Sequence, residues 1–180
     1  MNNELMFSSA NQAWATRWED FDKWNKRFNF TLDVCAGFGD QKCDDYITPE
    51  MNGLELKWCA PMNEESFDQD TFWCNPPYGA EQKKWVNHGF NQQASGVFLL
   101  PSRTDTILFH DTIVKGQKAG YCEIEFIKGR ITFGSDDYWE WVWDQEVLNG
   151  KPNSLYEKYG KMNPAPFASM LVKCGDCKDL

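Results

Sequence analysis

Apolar positions along the chain follow two periods. Trp14, Trp18, Phe21, Trp24 and Phe28 are spaced by 4, 3, 3 and 4 with charged residues between them, which predicts an N-terminal helix packed on a sheet. Phe30 to Ala36 is a short apolar run ending at Gly37 and Gly39, and it predicts a buried strand followed by a turn. The polar stretch 40–70, broken by Pro49, Gly53 and Pro61, predicts loop with short elements. Thr71 to Cys74 predicts a second strand, stopped by Asn75-Pro76-Pro77-Tyr78-Gly79 because neither proline can donate to a ladder. Helices and strands then alternate. Glu81 to Gln93 has Trp85, Val86 and Phe90 as an apolar face, and Gly96 to Leu100 is a buried strand. Thr106 to Lys115 predicts a helix, Cys122 to Ile127 alternates as a strand, and Phe167 to Val172 supplies the last strand. This order predicts an α/β fold with a mostly parallel sheet and helices on both faces. The aromatic, acidic stretch from Ser135 to Pro166 has no clear assignment.

Length changes this picture little: 180 residues, 42% hydrophobic and 25% charged, predict a single domain over 1–180. No apolar run is long enough to span a bilayer, and the start Met-Asn-Asn-Glu-Leu-Met-Phe lacks the basic and apolar regions of a signal peptide. The expectation is a cytoplasmic protein with no membrane partner. Seven cysteines, an odd and scattered set, predict reduced thiols. Cys174-Gly-Asp-Cys177 has the spacing of half a zinc site, but no second pair completes four ligands, so no metal is expected. The net charge of −9 argues against a polyanionic partner until its distribution is considered. Residues 1–79 carry 6 basic and 14 acidic side chains, residues 80–133 carry 7 and 5, and residues 134–180 carry 5 and 8. A nucleic-acid face therefore belongs in the middle third.

Ligands of open α/β sheets sit beyond the carboxyl ends of the strands. Asp33 with Cys35-Ala36-Gly37, Asn75 to Tyr78, and Pro101-Ser-Arg103-Thr104-Asp105 each follow a predicted strand, so the three clusters are expected on one rim. The Asn75-Pro76-Pro77-Tyr78 element resembles the Asn/Asp-Pro-Pro-Tyr/Phe motif of S-adenosylmethionine-dependent methyltransferases that modify a planar, conjugated nitrogen. Its surroundings sharpen the match: Leu32-Asp33-Val-Cys-Ala36, Lys42-Cys43 with Tyr46-Ile-Thr48, Gly53-Leu54 with Trp58, Trp85-Val86, Leu100-Pro101 with Arg103 to Thr106, Phe109-His110, Phe126 to Arg130 with Phe133-Gly134, and Ala165-Pro-Phe167 with Ser169 to Val172. Together these resemble the small phage-type DNA N6-adenine (Dam-like) methyltransferases over most of residues 14–173.

The resemblance implies a Rossmann-like methyltransferase fold with an antiparallel last strand. It also implies S-adenosylmethionine as donor, an adenine of DNA as acceptor, and a phage or prophage setting in which methylation protects or marks DNA. The motif has its own physical logic. An exocyclic amine is a poor nucleophile because its lone pair is delocalised, so a catalyst gains by accepting its hydrogens as the lone pair localises. The Asn75 side-chain oxygen and the Pro76 carbonyl suit that role, with Pro77 stiffening the turn. Tyr78 offers a ring on which an extruded base can stack.

The other site residues rest on the resemblance. Asp33 matches an acidic position that suits the donor's ammonium group, beside Cys35 and Ala36, although the turn lacks a glycine-rich fingerprint. Asp44 or Asp45 suits the ribose hydroxyls, or is simply solvated. Trp14-Ala-Thr16 stands where the family has an aromatic-x-Thr-Pro element near the donor, with Arg17 in place of the proline; Trp14 fits the helical stripe equally well. Arg103, Thr104 and Asp105 lie where a target strand would pass, and an Arg103–Asp105 ion pair is the alternative. His110 suits a helix face better than a catalytic base. The region of about 134–166 suits target recognition or a subunit contact, as in a homodimer. The rival functions are methylation of an RNA adenine or a protein glutamine amide, and a non-catalytic binding module that has lost the donor.

Overall fold

The computed structural model describes residues 14–37, 39–58, 70–134, 140, 143, 144, 146–150 and 164–179. Most of the 134–166 region lies outside the described residues.

The first helix, α1 (Trp18–Phe28), carries Glu19 and Asp20 in its first turn and Lys26 and Arg27 in its last, charges that complement the helix dipole at both ends. It stops at Asn29, which adopts the left-handed conformation at φ 52° and returns its N–H to the Asn25 carbonyl. The helix begins four residues later than the aromatic stripe predicts. Thr16 instead forms an antiparallel bridge with Phe133, and the Gly134 N–H donates to the Ala15 carbonyl at 2.8 Å. Extended pairing has overridden helical periodicity at Trp14, which belongs to the lead-in and not to the helix.

Six strands form one sheet: β1 (Leu32–Asp33), β2 (Asp45–Tyr46), β3 (Thr71–Cys74), β4 (Ser95–Pro101), β5 (Cys122–Phe126) and β6 (Ser169–Cys174), in the order β2-β1-β3-β4-β6-β5. The pairs β1–β2, β1–β3 and β3–β4 are parallel, whereas β6 runs antiparallel to both β4 and β5. This is the expected Rossmann-like arrangement with a reversed last strand. The Phe30 to Ala36 run contributes only two residues to the ladder, because beyond Asp33 the chain turns at Val34 and Cys35. Its next amides still bond across the rim, Val34 to the Trp73 carbonyl and Ala36 to that of Ile47.

Side-chain alternation sorts the central strands into two cores. Phe72, Cys74, Phe98, Leu100, Met170 and Val172 face one side with Trp58, while Trp73, Val97, Leu99 and Leu171 face the other with Phe21 and Phe28 of α1. Helix α2 (Gln82–Gln92) places Val86, Trp85 and Phe90 on the first core. The segment predicted as an ordinary helix from Thr106 is π-helical over Leu108–Val114 and runs on as an α-helical turn, Lys115–Lys118; together these are α3. It sets Leu108, Phe109 and Ile113 against the same core. A 3-10 turn, Gly175–Asp179, follows β6. No helix among the described residues is long and apolar enough to cross a membrane.

Gly89 is the point where α2 comes closest to the core: an added Cβ would lie 2.7 Å from Phe98 Cζ and 2.8 Å from Trp58 Cζ3, both on fully buried rings. Alanine favours a helix over glycine by about 1 kcal/mol, but overpacking a rigid core costs about 1–3 kcal/mol. Gly89→Ala is expected to lower the thermal midpoint despite its better helix propensity, and a melt that rises would show that the helix can lift away.

Candidate active site

The parallel strands β1, β3 and β4 end side by side, and their carboxyl ends bring Asp33, the Asn75 to Tyr78 turn and the Ser102 to Asp105 loop to one rim, as the sequence predicts. Asn75 follows Cys74 directly. Its Nδ2 donates to the Trp14 carbonyl at 2.6 Å and to Thr16 Oγ1 at 3.0 Å. A carbonyl can only accept, so the contact with Trp14 dictates which way the amide points. Both amide hydrogens are thereby spent. The Asn75 Oδ1 is buried and has no hydrogen-bond partner, an arrangement that costs about 1–3 kcal/mol in a folded protein. Thr16 is itself buried and pinned by its bridge to Phe133, so the lead-in, not the turn, sets the amide.

Asp33 is buried rather than a solvated turn residue. Its Oδ1 accepts the Cys35 N–H at 3.2 Å and its Oδ2 accepts the Lys42 N–H at 3.0 Å, so the carboxylate clasps the 33–42 loop. Desolvation nevertheless pushes its pKa up to about 7, outweighing the two amide donors, and the nearby Asp40 adds to the rise. The cation that would oppose this, the buried Lys42 ammonium, is ion-paired with Asp40 and lies 4.2 Å over the Trp18 ring. Asp33 thus sits at the rim with its charge poorly compensated.

Tyr78 turns back into the second core. Its ring is near-parallel to Trp14, with centroids 6.2 Å apart, and meets Phe167 and Phe133 edge-on at 5.6 and 6.1 Å. Only 6% of the residue is exposed and its hydroxyl is buried without a partner. The expected open stacking face is therefore covered, chiefly because Trp14 has left the helix and folded over the turn. Burial raises the phenol well above its ordinary pKa.

Of the other predicted residues, Ala36 is buried and Cys35 half-buried at the end of β1, and burial, with the Cys35 thiol nearby, pushes the Cys74 thiol well above its ordinary pKa. Asp44 is exposed just before β2. Arg103, Thr104 and Asp105 are exposed beyond β4, and Arg103 and Asp105 do not form the alternative ion pair. His110 is exposed on α3. Cys174 and Cys177 are buried with their thiols pushed up by desolvation, Cys177 to about 11. Among the described residues no three His, Cys, Asp or Glu side chains are grouped to hold a metal.

Sequence reasoning missed Gln82, at the start of α2. It is buried with its Nε2 unpartnered, and it lines a cleft of about 170 Å³ together with Tyr78, Lys83, Pro101, Arg103 and Phe109. A glutamine in a predicted helix carries no pattern that would single it out.

A family model described as DNA N-6-adenine-methyltransferase (Dam) matches residues 5–153. A DNA N-6-adenine-methyltransferase of Haemophilus phage HP1 (strain HP1c1) is 37% identical over 72 residues, which make up 39% of this chain and 36% of the phage protein. The match thus spans little more than a third of that relative's length.

The raised pKa of Asp33 makes stability pH-dependent with a definite sign. Below about pH 4 the group is neutral in both folded and unfolded chains; as pH rises toward 7 the unfolded chain ionises freely while the folded one resists, so stability falls. The fall attributable to this group is at most about 4 kcal/mol, at 1.36 kcal/mol per pKa unit. Urea titrations between pH 5 and 8 are expected to show it in the wild type and to lose it in Asp33→Asn; parallel profiles would mean that Asp33 is ionised throughout.

Proposed function

The chain belongs to the DNA N-6-adenine-methyltransferase (Dam) family, and from that premise we propose that it transfers a methyl group from S-adenosylmethionine to N6 of adenine in DNA. The observation that carries the proposal is the buried, unpartnered Asn75 Oδ1 on a proline-stiffened turn. It is an acceptor held in place by two donor bonds of its own, which is what an amine about to lose its delocalised lone pair requires.

The residues at the rim fit the donor. Asp33 is a buried carboxyl whose nearest cation is engaged with Asp40, so an ammonium group beside it would offset the cost of ionising it. Cys35 and Ala36 border it, exposed Asp44 would take the ribose hydroxyls in this reading, and Trp14 and Thr16 close the side next to Asn75. When bound, S-adenosylmethionine supplies a methyl group already activated on a sulfonium.

The chain's own part is positioning. In this reading the Asn75 Oδ1 and the Pro76 carbonyl each accept one hydrogen of the target amine, drawing its lone pair out of the ring as the methyl group approaches. Tyr78 stacks on the extruded base only after the Trp14 ring has moved from its face, while the Trp14 carbonyl keeps its bond to Asn75. The amine proton leaves to water after transfer. Arg103, Thr104 and Asp105, beyond β4, contact the target strand. Protection or marking of phage DNA is the biological role that goes with this activity.

Removing the acceptor is expected to be costly: Asn75→Ala should lower turnover by about 100- to 1,000-fold, the range for loss of one preorganised transition-state contact, with S-adenosylmethionine affinity by calorimetry within a few-fold of wild type. Turnover that survives the substitution would exclude the role. Donor binding should also report on Asp33. Affinity is expected to rise as pH increases from 6 to 8, with release of close to one proton at pH 6, since the bound ammonium favours the ionised carboxylate. Asp33→Asn should abolish that release, and release unchanged in the variant would place the ammonium elsewhere.

A further inference from the structure

The cleft beside Tyr78 shares Tyr78 and Arg103 with the reading above, but its interior and Gln82 have no role there. It opens between the start of α2 and the β4–α3 connection, and its walls are Leu108, Phe109 and Pro101, with Lys83 and Arg103 at its edge and Gln82 inside. At about 170 Å³ it is well below the roughly 300–1,000 Å³ of sites that enclose a drug-sized ligand, so it admits a single ring system. Gln82 is 7% exposed and its Nε2 is an orphaned donor. Tyr78, which also lines the cleft, carries a second unpartnered polar atom, its hydroxyl. Buried polar groups are nearly always satisfied, so two orphans on residues lining one cleft point to a ligand that completes the site.

Charge identifies the kind of ligand. Lys83 and Arg103 are both exposed at the cleft. On α3 the exposed Asp111 is paired with Lys115 at 2.9 Å. Two cations and, among the described residues, no acid line the cleft; this favours phosphate and disfavours a sulfonium donor, which carries a net positive charge and no phosphate. An apolar slot of one-ring width, a lone buried N–H donor and flanking cations together describe one nucleotide of a strand.

We propose that this cleft takes the nucleotide adjacent to the target adenine, and that Gln82 reads its base by donating from Nε2 to a base acceptor while Lys83 and Arg103 hold the phosphate. The cleft shares Tyr78 with the catalytic turn, so a base seated in it and an adenine at Asn75 lie on one continuous path. The inference rests on the reading of the chain as a DNA methyltransferase. It makes Gln82 a specificity-determining residue with no part in methyl transfer itself.

The test measures binding and turnover separately, using duplexes that carry one adenine with each flanking base varied in turn. Fluorescence anisotropy gives affinity and donor-dependent labelling gives turnover. Wild-type protein is expected to favour particular bases at one flanking position. Gln82→Leu, similar in volume and without the donor, should flatten that preference by roughly 5- to 100-fold, the value of a base-edge contact, with an unchanged melt and unchanged S-adenosylmethionine affinity. Gln82→Glu, an acceptor in place of the donor, should turn the preference toward bases that present an amino group. Lys83→Ala should weaken all duplexes alike and lower the salt slope by about one ion. A flanking profile in Gln82→Leu that superimposes on the wild type, or a loss confined to S-adenosylmethionine affinity, overturns the assignment of the cleft while leaving the methyltransferase reading intact. Discrimination in binding that depends on Gln82 without any methylation leaves the cleft standing and removes the activity. Absence of both DNA binding and methylation removes both.

Discussion

The arrangement depends on one constraint: an amide has two donor hydrogens and one oxygen, and in Asn75 the hydrogens are committed to the Trp14 carbonyl and Thr16 Oγ1. The oxygen is then left pointing away from any partner at the end of a strand. Nothing in the four-residue turn alone could enforce this. An isolated asparagine amide rotates to satisfy its oxygen first, since leaving a buried acceptor unpaired is unfavourable. The lead-in holds it because that lead-in is itself bonded to the segment around Phe133, which in turn bridges Pro164 through Thr132. Three stretches distant in sequence converge on one side chain.

A second tension is electrostatic. The chain carries nine more acidic than basic side chains, yet its proposed partner is a polyanion. The rim resolves this by separation. Beside β1, Asp33 is buried and takes amide donors, and Asp40 is buried and takes Lys42. The opposite end of the rim, beyond β4, presents Arg103 and Lys83. In the proposed reading a cationic donor and an anionic strand take opposite ends of the same row of strand termini, which keeps each away from the field that would repel it.

The aromatic nest of Trp14, Tyr78, Phe133 and Phe167 joins these parts. It buries the Tyr78 ring and leaves its hydroxyl without a partner, so the closed form stores an unsatisfied group beside the turn. The same Trp14 supplies the carbonyl that orients Asn75, so in the proposed reading a single residue both covers the stacking face and aligns the acceptor.

Much was legible in the residues themselves. The unbroken apolar runs Phe72-Trp73-Cys74 and Val97 to Leu100 determined that these strands are buried on both faces, and the two prolines after Asn75 determined where β3 must end. These follow from sterics and burial that act within a few residues. The lead-in was misread because Trp14 continues the spacing of the aromatic stripe, and only a cross-chain bridge to Phe133 reveals that it is extended. The strand β2 was hidden because Asp45 and Tyr46 are both exposed and polar pairs carry no alternation. Gln82, the buried Asp33 and the orphaned oxygen of Asn75 were decided by tertiary structure alone. Whether a polar group is satisfied depends on what faces it from elsewhere in the fold, and no local pattern records that.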